Sequence, residues 1–243
     1  MNDGTYQFIV GTLDLFLWGG NLTGRENLPL HGPAVFIANH HEAIGPIAAA
    51  CSIPLRMYPW SVADMVDEEK AAAYLQWDFV ERTLHLAPPL SVWVARGLSK
   101  ITVPFLRSLG CIPVYKGDYD HMVDTLRLSM ELLRQDKFLL VFPEDNMLPK
   151  EPQTQMSLFQ RSFARLGEMV YAETGRRLDF YPVAIHPKGV VMVGKPVAFD
   201  PLNPVGLERH RLKDLMEKSV QSMYLQIENR AGSEMGALTA QHK

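Results

Sequence analysis

The strongest constraint on the fold is an alternation, along the chain, of short β-type apolar runs with longer segments whose apolar residues recur at helical spacing. The runs AVFIAN (34–39), GCIPVY (110–115), KFLLVFP (137–143), FYPVAI (180–185) and VVMVGKPV (190–197) read as strands. Each is short, rich in β-branched or aromatic residues and bounded by turn formers or polar residues. Between them, 119–135 carries Met122, Leu126, Met130 and Leu133 at helical intervals, and 157–173 shows the same periodicity. Strands separated by helices predict an α/β single domain, a largely parallel central sheet flanked by helices. In such sheets the chemistry gathers beyond the carboxyl ends of the strands. Three of the runs end there in residues of catalytic type: 34–39 leads into His40, His41 and Glu42, 110–115 into Lys116, and 137–143 into Glu144 and Asp145. The segment 207–229 reads as an amphipathic C-terminal helix, with a frayed tail expected after Ala231.

Length and charge narrow the function classes. A chain of 243 residues that is 47% hydrophobic can bury one sizeable core and is too apolar to be disordered, and no repeat or linker divides it. Lys and Arg number 24 against 27 Asp and Glu, a formal charge of -3, which excludes a nucleic-acid binder that neutralises many phosphates. Any anion site is therefore local. Cys51 and Cys111 form no CxxC pair and read as buried thiols in a reducing compartment. No stretch reaches the roughly 18 to 20 apolar residues of a spanning helix, and the opening Met1-Asn2-Asp3 lacks the basic start of a signal peptide. Residues 6–18, YQFIVGTLDLFLW, predict an N-terminal apolar helix, either lying in a membrane interface or packed on the core. The expected organisation is 1–21 for that helix, 22–200 for the α/β domain and 201–243 for the C-terminal helix and tail.

The most informative segment is GRENLPLHGPAVFIANHHEAIGP (24–46), a Gly/Pro-rich approach, a buried strand, and Asn39-His40 at its end. It resembles the glycerolipid acyltransferases typified by bacterial lysophosphatidic acid acyltransferase, which show G-x-E-N-L-P before a strand ending N-H, then four residues and an Asp, often followed by Pro. Gly24, Glu26, Asn27, Leu28 and Pro29 match the approach, Asn39-His40 the strand end and Pro46 the following residue. The position of the acid is Gly45. Gly110-Cys111-Ile112-Pro113-Val114-Tyr115-Lys116 is similar to a second motif, with Lys116 where the family's phosphate-binding Arg stands. Val141-Phe142-Pro143-Glu144 is similar to the start of a third, whose Gly, Thr and Arg are replaced by Asp145, Asn146 and Met147. Tyr181-Pro182-Val183-Ala184-Ile185 is similar to a fourth, and Val193-Gly194-Lys195-Pro196 to a strand that follows it. The motifs occur in the family's order over residues 22–200.

The resemblance implies a glycerol-phosphate-acyltransferase-like fold and transfer of an acyl group, from acyl-CoA or acyl-carrier protein as co-substrate, to a hydroxyl of a lipid or glycerol-phosphate-like acceptor. It implies His40 as the general base, which imidazole suits near neutral pH. A base of this kind works best when a carboxylate orients its other ring nitrogen. With Gly45 in the acid's place, Glu42 is the first candidate for that role, and Glu144 or Asp145 the alternatives from the neighbouring strand end. Lys116, Glu144, Asn39 and Gly110 are the expected substrate-binding residues. Arg96, Lys100 and Arg107, at helical spacing, form a candidate basic face for anionic headgroups. No metal or tightly bound cofactor is expected, and the expected partners are the acyl donor, the lipid acceptor and a membrane surface, not nucleic acid. The expected location is cytoplasmic, peripheral on the inner face of the membrane. Two other readings stand beside transfer: a catalytically impaired lipid- or acyl-binding member of the fold, warranted by Gly45 and Met147, and an acyl hydrolase.

Overall fold

The computed structural model describes residues 3–15, 19–40, 44–115, 119–145 and 147–240. Eight strands form one sheet: β1 (Asn21–Thr23), β2 (Ala34–Ala38), β3 (Met57–Val62), β4 (Ile112–Val114), β5 (Phe138–Val141), β6 (Asp179–His186), β7 (Val190–Val193) and β8 (Val197–Ala198). Their order across the sheet is β1-β7-β6-β2-β5-β3-β4, with β8 paired to β6. Pairing is parallel throughout except where β6 meets β7 and β8. The antiparallel β6–β7 pair follows from a tight connection that ends at Gly189, whose φ of 78° suits glycine.

Strand β2 lies between β5 and β6, and all five of its residues are buried, which is why it reads as an unbroken apolar run. Its side chains alternate between two cores. Val35 and Ile37 pack with Leu139, Val141, Phe180 and the helices α6 (Tyr119–Leu133), α7 (Arg165–Thr174) and α8 (Val205–Ala240). Ala34, Phe36 and Ala38 face the other way, toward Ala48, Ala49 and Ile53 of α2 (Ile44–Ser52). Helix α1 (Asp3–Leu13) packs on α2, burying Tyr6 and Val10 and exposing Phe8. Three further helices, α3 (Ala63–Val66), α4 (Ala71–Leu75) and α5 (Leu90–Leu109), with a π-helical stretch at Gln76–Glu81, form a separate insert between β3 and β4. Its small core includes Leu75, Val80 and Ala95. No helix among the described residues is long and apolar enough to cross a membrane.

Several expectations are corrected in detail. The helix expected over 157–173 begins only at Arg165, because 157–160 instead runs antiparallel to 143–145: Asp145 N–H donates to Leu158 O and Gln160 N–H to Pro143 O. The run 190–197 divides into β7 and β8, which pair with different stretches of β6. The C-terminal helix continues past Ala231 to Ala240, with no proline to stop it. Of the apolar segment 6–18, helix α1 takes the part up to Leu13, Asp14 and Leu15 continue it as a π-helical turn, and 16–18 lie outside the described residues. Both thiols are half-buried rather than fully buried; burial pushes Cys51 up to about 11 and Cys111 up to about 12.

The Gly-Arg-Glu-Asn approach has a mechanical role. Gly24 sits at φ 74°, and a Cβ there would lie 2.0 Å from the Val193 carbonyl oxygen, to which the Asn27 amide also donates at 2.8 Å. The approach is thus fastened to the end of β7. Gly24→Ala is expected to destabilise the fold by about 1–3 kcal/mol through backbone strain, with further loss from the contact. Urea unfolding should show a lower midpoint at an unchanged slope.

Candidate functional site

The register of β2 on β5 pairs Ile37 with Val141, so the residues after both strands emerge side by side at the carboxyl edge. Asn39 and His40 follow β2; Phe142, Pro143 and Glu144 follow β5. Asn39 is buried, and its side-chain amide takes the place of a peptide group. Its Nδ2 donates to Ile185 O at 2.9 Å while Ile185 N–H donates to its Oδ1 at 2.7 Å. This extends the β2–β6 pairing one residue past the last backbone pair. It leaves the main chain free to turn away. An aliphatic residue here would orphan two buried backbone groups, each costing about 1–3 kcal/mol; the asparagine is explained by this pairing, and the structure commits its side chain to the sheet.

Glu144 holds the next residue. Its carboxylate is buried and accepts the His40 backbone N–H at 2.5 Å on Oε1 and the Ser157 backbone N–H at 2.8 Å on Oε2. The His40 ring lies edge-on to Phe142, with centroids 5.4 Å apart and planes at 77°. His40 is therefore placed from below by a carboxylate on its main chain and from the side by an aromatic ring. Burial pushes the Glu144 carboxyl above its ordinary range; the two backbone donors and Lys150 pull it down, and Glu217 adds to the rise.

Glu217 is a participant that sequence reasoning missed. It reaches in from α8, accepts the Phe159 N–H at 2.6 Å and pairs with Lys213 at 3.1 Å. Two buried carboxylates thus brace the 157–160 segment against the site. Nothing in the sequence marks Glu217 apart from its i,i+4 spacing to Lys213.

The remaining expected residues divide. Glu42 and Lys116 lie outside the described residues, as does His41. Gly110 caps α5 at φ 79°, where a Cβ would come within 2.9 Å of the Tyr58 ring, and it precedes β4 at that strand's amino end. The structure does not bring it to His40. Asp145 accepts the Met147 N–H at 3.1 Å within a turn, and Met147 is exposed. Gly45 opens α2 beside the site, and a Cβ there would meet Asn39 O, His40 C and His40 Cα at 3.8 Å, ordinary contact distances. There is room for a Cβ. Between β2 and β4 lie β5 and β3, so the strand that leads to Lys116 is about 14 Å from the strand that leads to His40 at normal interstrand spacing.

No protein-family model and no curated protein matches the chain. Its fold is similar to that of a solved structure, the 1-acyl-sn-glycerophosphate (LPA) acyltransferase PlsC from Thermotoga maritima, with a TM-score of 0.53 at 13% identity. The match covers 94% of this chain and 84% of that one.

The raised Glu144 carboxyl has a consequence for stability. Its folded pKa lies above the unfolded value of 4.5, so the folded state binds the proton more tightly. Stability therefore falls as pH rises from about 4.5 through the folded pKa and is level above it. Glu144→Gln, which cannot ionise, is expected to flatten that part of the profile, as measured by urea unfolding at a series of pH values. An unchanged slope would show that Glu144 titrates normally.

Proposed function

We propose that the chain is an acyltransferase in which His40 removes the proton from an acceptor hydroxyl as that oxygen attacks the thioester carbonyl of acyl-CoA or acyl-carrier protein. The tetrahedral intermediate collapses, the C–S bond breaks, and the imidazolium returns its proton to the leaving thiolate. The step needs no group beyond the two substrates. The observation that carries this reading is the placement of His40: at the carboxyl edge of the central parallel strand, with its main chain clamped by the carboxylate that follows the neighbouring strand, in a fold shared with an LPA acyltransferase. An imidazole fixed at such an edge suits general-base work.

In this reading Glu144 positions the base through its backbone instead of touching the acceptor. Lys116, at the end of the β4 run, binds an anionic group of the acceptor as a point charge. Glu42 supplies the carboxylate that orients the imidazole. The acceptor is a lipid or glycerol-phosphate-like alcohol, and the protein works at the cytoplasmic face of a membrane.

One observation favours a second reading. Gly45 leaves the dyad acid's place empty of any side chain, which suits a lipid- or acyl-binding protein of the same fold that does not turn over. Purified protein with acyl-CoA and a panel of lysolipid and glycerol-phosphate acceptors decides between them by release of free CoA. Transfer predicts acceptor-dependent release that His40→Ala lowers by about 10²- to 10⁴-fold. Full turnover by His40→Ala would refute the mechanism. Gly45→Asp adds a Cβ at ordinary contact distances and places an acid in the first turn of α2, where the helix dipole favours it, and a melting curve beside the wild type checks that the variant folds. Activity appearing only in Gly45→Asp would establish the binding reading. Release of fatty acid with no acceptor present would mark hydrolysis.

A further inference from the structure

Helix α5 packs Val94, Leu98 and Val103 inward but also turns large apolar residues outward. At 100° per residue, Ser91, Ala95, Ser99 and Val103 fall on one side, and these are its buried residues. Leu90, Trp93, Gly97, Ile101 and Pro104 fall within about 80° of arc on the opposite side. There Trp93 is 70% exposed and Ile101 72%. A helix of a soluble domain turns its large apolar residues inward, so a contiguous outward stripe of this kind marks a face that something covers.

The charges around the stripe identify the cover. Among the 20 residues of α5 there is no Asp or Glu, and its three cations lie along one flank of the apolar stripe. Arg107 is engaged by Glu68 at 2.5 Å and by Val66 O at 2.9 Å. Arg96 and Lys100 are exposed and have no ion-pair partner among the described residues. An apolar face with a tryptophan, flanked by long cationic side chains, has the chemistry of a helix lying in the headgroup region of an anionic bilayer. A second copy docking through the same face would find no carboxylate on α5 for these cations. The overall charge of -3 makes the local excess the more selective. The insert leaves the sheet at the carboxyl end of β3, the edge that carries His40 and Glu144, and returns to it at the amino end of β4.

We infer that the outward face of α5, centred on Trp93, Arg96, Lys100 and Ile101, docks the protein on an anionic lipid surface. This surface is separate from the N-terminal segment, whose helix α1 buries Tyr6 and Val10 against the protein and exposes Phe8. The surface is argued independently of the reaction, and its test reads binding alone.

Full-length protein is sedimented with vesicles of phosphatidylcholine and of equal parts phosphatidylcholine and phosphatidylglycerol. The wild type should bind the anionic vesicles, more weakly at high salt. Trp93→Ser with Ile101→Ser should lose at least tenfold in affinity for them with an unchanged melting temperature, since both side chains are exposed. Arg96→Gln with Lys100→Gln reads the same surface without touching the stripe, and should abolish the preference for anionic vesicles, roughly fivefold per cation. Absence of binding by the wild type, or equal binding by all three forms, would overturn the inference. So would a concentration-dependent dimer that the Trp93/Ile101 variant dissolves while vesicle binding is absent, because a second copy would then be the cover. Protein that binds vesicles yet transfers no acyl group would refute the reaction and leave this surface standing.

Discussion

The candidate site depends on one buried carboxylate. Glu144 accepts two backbone N–H groups from segments far apart in sequence, His40 after β2 and Ser157 in the stretch that returns along β5. A charge in that position is costly unless it is well solvated by donors, and the carboxyl's raised affinity for protons is the trace of that cost. The cost is offset by rigidity where the chain would otherwise be loose. Beyond the last backbone pair of β2, side-chain groups hold the main chain: the amide of Asn39 on β6 and the carboxylate of Glu144 after β5. The central strand therefore delivers His40 in a fixed orientation although it lies outside the sheet. The precision of the site is a property of these polar substitutes for strand pairing.

This explains how far the sequence could be read. The fully apolar runs around β2, β5 and β6 were legible because burial on both faces leaves no other pattern, and the polar residues after them lie where an α/β sheet places its chemistry. The motif residues were legible as a set, yet their individual tasks were not. Asn39, expected at the substrate, holds β6; Gly110, expected there too, ends a helix where a Cβ would collide with Tyr58; Gly24 and Asn27 fasten the approach to β7. Each of those roles rests on a long-range contact that spacing does not encode. The false helix start at 157 has the same origin: periodicity is present, but two carboxylates, one of them from α8, recruit the backbone donors of Ser157 and Phe159 into an extended pairing.

The strand β3 and the insert that follows it were missed for a different reason. MYPWSV alternates poorly and contains a proline, and its place between β5 and β4 is set by its partners. In α5 the usual rule fails in part: Val94, Leu98 and Val103 pack inward, but Trp93 and Ile101 point outward. Departures of that kind are most informative where they accompany a local charge bias, as Arg96 and Lys100 do here.

The central claim is that Glu144 makes His40 an effective base by holding its main chain. Steady-state kinetics of CoA release by Glu144→Gln beside the wild type test it most directly. An uncharged amide can accept only one of the two N–H groups without presenting its own NH₂ to the other. The account predicts a fall in kcat of tenfold or more with KM for the acyl donor nearly unchanged. Wild-type kcat in Glu144→Gln, or a rise confined to KM, would contradict it.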